Sequence, residues 1–225
     1  MASRELRFLF DYISPNAYVA WKRLGHLGRS HDLIVQPEAV LFAGLLGATG
    51  ALGPAEIPPK RRWMWRNVAR KCAQLDLPLR PPHTHPFNPL LALRISSLEL
   101  APAARARLID GLFDAVWAHA RDVSDPAEVA RVATAAGLDG EAALADAVEP
   151  RNKQRLFDRT ATAIADGAFG VPTLFLDGEL FWGYDDFEWI ERHLDGEDEY
   201  DRELLGAWNS VRPSASRRDR PPRPS

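Results

Sequence analysis

The order of strand and helix signals narrows what this chain can fold into more than any other feature. Residues 5–11 (ELRFLFD) form a short, aromatic-rich, mostly apolar run of the kind buried inside a sheet. Ser14-Pro15 then reads as a helix start, because serine can cap and proline fits the first turn, where its missing N–H costs nothing. The helix carries Tyr18, Val19, Trp21 and Leu24 and is expected to end between Gly25 and Gly28. Leu33-Ile34-Val35 follows as a second strand, expected to stop at Pro37, so the first part suits a parallel βαβ unit. Near the other end, Thr173 to Leu176 reads as a strand, Asp177-Gly178 as a tight hairpin turn and Leu180 to Trp182 as the return strand. A last helix is expected from near Asp185 through Phe187, Trp189, Ile190 and Leu194.

Between these ends the pattern is helical. Residues 41–60 read as a loop, broken by Gly44, Gly47, Gly50 and Gly53 and then by Pro54, Pro58 and Pro59. From about Lys60 to Leu75 a helix sets Met64, Val68, Cys72 and Leu75 on one face. The stretch from Leu77 to Pro89 holds five prolines and reads as a surface loop. Further helices are expected over 105–119, from Asp125-Pro126 to Gly137, and over 140–148 and 151–166. The sequence βαβ, helical block, ββα specifies an α/β thioredoxin-like fold with an all-helical insertion, its sheet mixed and covered by helices on both faces. The expected division is 1–45 with 165–212 for the thioredoxin-like domain and 46–164 for the insertion, with 213–225, rich in arginine and proline, as a disordered tail.

Composition excludes several function classes. Hydrophobic residues make up 46% and charged residues 26%, ordinary values for a packed globular chain. A net charge of -3 argues against a nucleic-acid binder, whose footprint would be basic. No run of about 18 apolar residues offers a membrane span, and the opening decapeptide is too charged for a signal peptide. A soluble, cytoplasmic protein is the expectation. The single cysteine, Cys72, can form neither an internal disulfide nor a Cys-x-x-Cys pair, and its place on an apolar helix face marks it as inert. His83 and His85 lack a third ligand at sensible spacing, so no metal site is expected. Neither a G-x-S-x-G elbow nor a phosphate-binding glycine loop is present.

Three places remain where chemistry can sit. Ser14 follows the first strand at a helix N-terminus, where free N–H groups and the helix dipole favour an anion; its hydroxyl can donate to a thiolate brought by a ligand, or simply cap the helix. Val171-Pro172, after Gly170 and before a strand, fits a cis-proline that leaves the Val171 backbone open to an extended peptide ligand, although a trans-proline opening an edge strand suits the same letters. Trp182-Gly183-Tyr184-Asp185-Asp186 turns a strand-to-helix corner, where Asp185 can take a ligand amino group, cap the last helix, or both.

Taken in order, Phe8 to Pro15 (FLFDYISP), Lys60 at the head of a helix, Phe169 to Thr173 (FGVPT) and Asp177 to Gly183 (DGELFWG) resemble the 2-hydroxychromene-2-carboxylate isomerase family over roughly residues 5–195. That family is close to kappa-class glutathione transferases and to the DsbA-like branch of the thioredoxin fold. The resemblance implies glutathione as cofactor, with Ser14 catalytic against its sulfur and Asn16 helping to hold the ligand. It implies that Val171, beside Pro172, pairs with the cysteinyl backbone, that Tyr184 and Asp185 hold the γ-glutamyl end, and that Lys60 faces the acidic substrate or glutathione. It also implies a homodimer and a small aromatic carboxylate as substrate, isomerised by reversible thiolate addition. Such a substrate calls for an apolar pocket with cations at its rim; Trp63, Trp65 and Phe87 are candidate walls, and Lys60, Arg61 and Arg62 candidate cations, although Arg61 and Arg62 read better as a solvated helix start. The chain departs from the family pattern at Ala51, Asn67 and Asp186, where asparagine, aspartate and arginine are usual, and at Asn16, where an aromatic commonly stands. The competing readings are a kappa-type glutathione transferase or peroxidase and a non-catalytic thioredoxin-like binding protein.

Overall fold

A computed structural model describes residues 4–214. Four strands form one mixed sheet in the order β2-β1-β3-β4. Strand β1 (Arg4–Phe10) pairs in parallel with β2 (Leu33–Ala39) and antiparallel with β3 (Thr173–Leu176), which pairs antiparallel with β4 (Glu179–Trp182). The aromatic run at the start is therefore a central strand, and its side chains alternate between two cores. Leu6, Phe8 and Phe10 enter the main core, whereas Leu9 joins Val40, Leu45, Ala163, Ala168 and Val171 on the other side.

Strand β2 does not stop at Pro37. It runs on to Ala39, with Pro37 opposite Phe8, because β2 is the sheet edge and a proline there forfeits no ladder bond on its open side. The turn between β3 and β4 is the expected one: Asp177 and Gly178 both take positive φ, 52° and 84°.

Helix α1 (Pro15–Ser30) is capped by Ser14 and continues past Gly25 and Gly28, since Leu24 and Leu27 bury against the core. Residues 41–60 are not a loop. They contain helix α2 (Phe42–Thr49), which ends where Gly50 turns left-handed at φ 66°, and a 3-10 turn at Pro54–Glu56. The glycines within α2 lowered its helical signal, but Leu45 packs beneath the sheet and holds it.

The remaining helices before β3 are α3 (Pro58–Gln74), α4 (Leu90–Ser96), α5 (Pro102–Phe113), α6 (Pro126–Ala135), α7 (Gly140–Val148) and α8 (Pro150–Ala165). After α5 the chain widens into a π-helical segment over Asp114–Ala118, which buries Trp117 completely. Helix α9 (Phe187–Asp195) starts two residues later than expected, with Asp186 and not Asp185 at its N-cap. A further helix, α10 (Arg202–Ser210), lies within the stretch assigned to the thioredoxin-like domain and has no buried residue. Of the expected disordered tail, residues 215–225 lie outside the described residues. Among the described residues no helix is long and apolar enough to cross a membrane.

Candidate functional site

The loop from Asp11 to Ser14 links β1 to α1, and each of its residues is held by a different part of the chain. Asp11, buried, accepts hydrogen bonds from the N–H groups of Ile13 and Phe42, both at 3.0 Å. Burial outweighs these two bonds and pushes its carboxyl up to about 6. The Tyr12 carbonyl accepts from Trp117 Nε1 at 2.9 Å, and its hydroxyl meets Ser96 Oγ at 2.6 Å. Desolvation raises the Tyr12 hydroxyl far above its ordinary range, so it stays protonated. The Ile13 carbonyl lies 2.9 Å from His85 Nε2. A carbonyl only accepts, so this nitrogen carries the proton.

His85 was expected as an ordinary loop histidine. It is instead wedged among aromatic rings, 4.8 Å from Trp65 and 5.9 Å from Trp117 between centroids, with Phe87 at 6.3 Å. Burial lowers its affinity for a second proton, and its Nδ1 is sealed from solvent without a partner among the described residues. Trp65 and Phe87 thus pack around His85, which reaches Ile13, whereas Trp63 points to solvent with 58% of its surface exposed.

Ser14 ends the loop. Its Oγ accepts from the Ala17 N–H at 3.2 Å, satisfying one of the open donors of the first turn, and donates to the Val171 carbonyl at 3.3 Å. The second bond is long, so the hydroxyl proton can be redirected to a stronger acceptor at small cost. Val171-Pro172 is cis, as the sequence suggested, and the Pro172 carbonyl accepts from the Gly183 N–H at 2.9 Å. The helix start, the Val171 turn and the strand-to-helix corner at Gly183 therefore meet in one place.

A fourth element reaches this corner from α3. Lys71 is buried, yet its Nζ lies 3.1 Å from Asn16 Oδ1, 2.9 Å from Asp185 and 5.3 Å from the centroid of the Tyr184 ring. Asp185, 70% exposed at its side chain, keeps a face open to solvent. Tyr184 stacks on Phe187 at 5.3 Å, and burial raises its hydroxyl. Asp185 is thus a lysine partner rather than the helix cap, and Asp186 accepts from the Trp182 N–H at 2.7 Å.

Of the residues singled out in the sequence, the structure brings together Ser14, Asn16, Val171, Pro172, Tyr184 and Asp185. It does not bring in Lys60, which stands exposed in the first turn of α3 without a hydrogen bond or ion pair among the described residues. Lys71 is the lysine the sequence reading missed. The signal was available: position 71 falls on the same helical face as Met64, Val68, Cys72 and Leu75, and a charge on an apolar stripe needs a buried partner. Cys72 is buried as expected, and desolvation pushes its thiol up to about 11, away from nucleophilic use. One cluster among the described residues, Glu179, His193 and Asp198, has donor atoms close enough for a cation; it lies away from Ser14, against the β3-β4 hairpin.

Comparisons with known proteins show the family and the fold. The family model described as DSBA-like thioredoxin domain matches residues 5–195. The 2-hydroxychromene-2-carboxylate isomerase of Sphingobium xenophagum is 26% identical over 200 residues, covering 85% of this chain and 98% of the relative. Glutathione S-transferase kappa 1 of Homo sapiens is 24% identical over 208 residues, covering 86% and 92%. A solved structure of 2-hydroxychromene-2-carboxylate isomerase superposes with a TM-score of 0.79 at 25% identity, covering 92% of this chain and all of that one.

Proposed function

The chain belongs to the DSBA-like thioredoxin domain family, and from that premise we propose that it is a glutathione-dependent isomerase of 2-hydroxychromene-2-carboxylate-type aromatic carboxylates. The observation that carries the reading is the placement of Ser14. A hydroxyl occupies the head of α1, in a loop held by Phe42, Trp117, His85 and Val171, and its hydroxyl proton goes to the Val171 carbonyl in a long hydrogen bond. Relatives named as isomerases of this substrate and as kappa glutathione transferases support it.

The donor set fits glutathione. A tripeptide thiolate needs a hydrogen-bond donor and a positive potential at sulfur, backbone groups for its extended chain, and an anion for its amino end. Ser14 and the N-terminus of α1 supply the first two, the Val171 backbone the third and Asp185 the fourth. When bound, glutathione supplies a thiolate that adds reversibly to a conjugated carbon, giving a bond about which the substrate can rotate before the thiolate leaves.

The chain's own residues do the rest. Ser14 turns its proton from the Val171 carbonyl to the sulfur and so favours the anion. Lys71 holds Asn16 and Asp185 in register and adds a positive charge behind the helix start. Trp65 and Phe87 form an apolar wall for the aromatic ring beside Ile13.

The test is isomerisation of 2-hydroxychromene-2-carboxylate by the purified chain with and without glutathione, followed by absorbance. Turnover that requires glutathione supports the reading; turnover independent of it, or none, contradicts it. The kappa-type relative favours a second reading, in which the same thiolate is transferred to the substrate permanently. Consumption of glutathione with a halogenated nitrobenzene, in the absence of isomerisation, selects that one.

A further inference from the structure

A second cleft lies toward the other end of β1 from Ser14, between the sheet edge and α8, with a volume of about 770 Å³. It falls in the range of small-molecule sites. Its lining carries five arginines, Arg7, Arg105, Arg151, Arg155 and Arg159, against Glu5, Glu38 and Asp158, an excess of two positive charges in a chain whose net charge is -3.

Three of these arginines recur every fourth residue of α8, at 151, 155 and 159. Like charges at that spacing repel and weaken a helix, so the arrangement calls for something that offsets it. Part of the offset is internal: Arg7 pairs with Glu38 and Asp166, Arg151 with Asp146 and Arg155 with Glu99. Arg105 and Arg159 have no carboxylate partner among the described residues. Arg105 donates only to the Leu98 carbonyl at 3.2 Å, and its Nε, like Nη1 of Arg159, is sealed from solvent without a hydrogen-bond partner. Burial, followed by repulsion from Arg105, lowers the hold of Arg159 on its proton, and the charge of Glu38 offsets this only in part. Guanidinium forks that are crowded, partly dry and unpaired match the geometry of phosphate or carboxylate oxygens.

We propose that this cleft binds a compact oxyanion with two or more negative charges, of diphosphate or tricarboxylate chemistry, held by Arg105 and Arg159. The acidic residues of the lining, Glu5, Glu38 and Asp158, oppose a long polyanion such as nucleic acid. The site is independent of the glutathione reading, because none of its lining residues touches Ser14 or Lys71.

Calorimetric titration of the full chain at low salt with inorganic pyrophosphate, and separately with citrate, tests it. One saturable site per chain is expected, with whichever anion binds tighter naming the chemistry. Arg159→Gln and Arg105→Gln should each weaken binding by at least about tenfold, Arg192→Gln on α9 should leave it unchanged, and added chloride should screen it. Asp158→Asn, at an exposed position, should tighten it. No saturable heat with either anion, equal loss in Arg192→Gln, or wild-type affinity in both cleft variants overturns the proposal. Should either cleft variant fail to fold, unchanged affinity in Asp158→Asn overturns it alone.

Discussion

Asp11 and Lys71 are the two buried charges that shape the site, and each yields a prediction. The folded state raises the Asp11 carboxyl to about 6 from its ordinary 3.8, chiefly by burial. A raised folded pKa means that the native state holds the proton more tightly than the unfolded one. Its effect is therefore to favour folding as pH falls from about 6 toward 4, and to penalise the ionised form above that window by about 3 kcal/mol. Urea unfolding of wild type and Asp11→Asn across this range should show wild type gaining on the variant as pH falls. A constant difference would mean that Asp11 is not desolvated. For Lys71, the partner Asp185 is exposed while the ammonium is not. Lys71→Met removes a buried charge and leaves a carboxylate that water can solvate, whereas Asp185→Ala leaves the buried ammonium without its counter-ion. The account expects Asp185→Ala to lower the thermal midpoint more than Lys71→Met. It expects both to weaken glutathione binding, by about tenfold, the scale of one charged hydrogen bond. Equal or reversed midpoints would contradict this division.

At the scale of elements, the π-helical turn after α5 and the proline-rich loop before α4 do together what neither helix does alone. The first delivers Trp117 to the Tyr12 carbonyl, and the second delivers His85 to the Ile13 carbonyl. Trp117→Ala removes a fully buried ring and should cost about 3–5 kcal/mol in unfolding free energy. The rate should fall further than stability alone accounts for at temperatures where the variant is folded, because the loop that aims Ser14 is loosened. A variant with undiminished turnover per folded molecule would separate Trp117 from the site. These contacts also mark what could be read from sequence. The strand and hairpin ends were legible because alternation, Ser14-Pro15 and Asp177-Gly178 are local signals. Helix α2 was not, since Gly44 and Gly47 mask a segment that forms by packing Leu45 under the sheet. Pro37 misled because a lone strand does not reveal that it is an edge. Lys71 was passed over and His85 was read only as a loop histidine, because their partners lie 55 and 72 residues away.

Over the whole molecule, the helical block between β2 and β3 serves to brace a short loop on the sheet. Four remote elements fix that loop, and the hydroxyl at its end faces the turn that opens β3. At this scale the proposed function reduces to one claim: the Ser14 hydroxyl at the head of α1 stabilises a bound thiolate. The direct test of that claim is the pKa of the glutathione thiol bound to the wild-type chain and to Ser14→Ala, followed by thiolate absorbance against pH. The account predicts a bound thiol well below the free value of about 8.5 in wild type, rising by about one unit in the variant as one hydrogen bond to sulfur is lost. The same pKa in both proteins would contradict it.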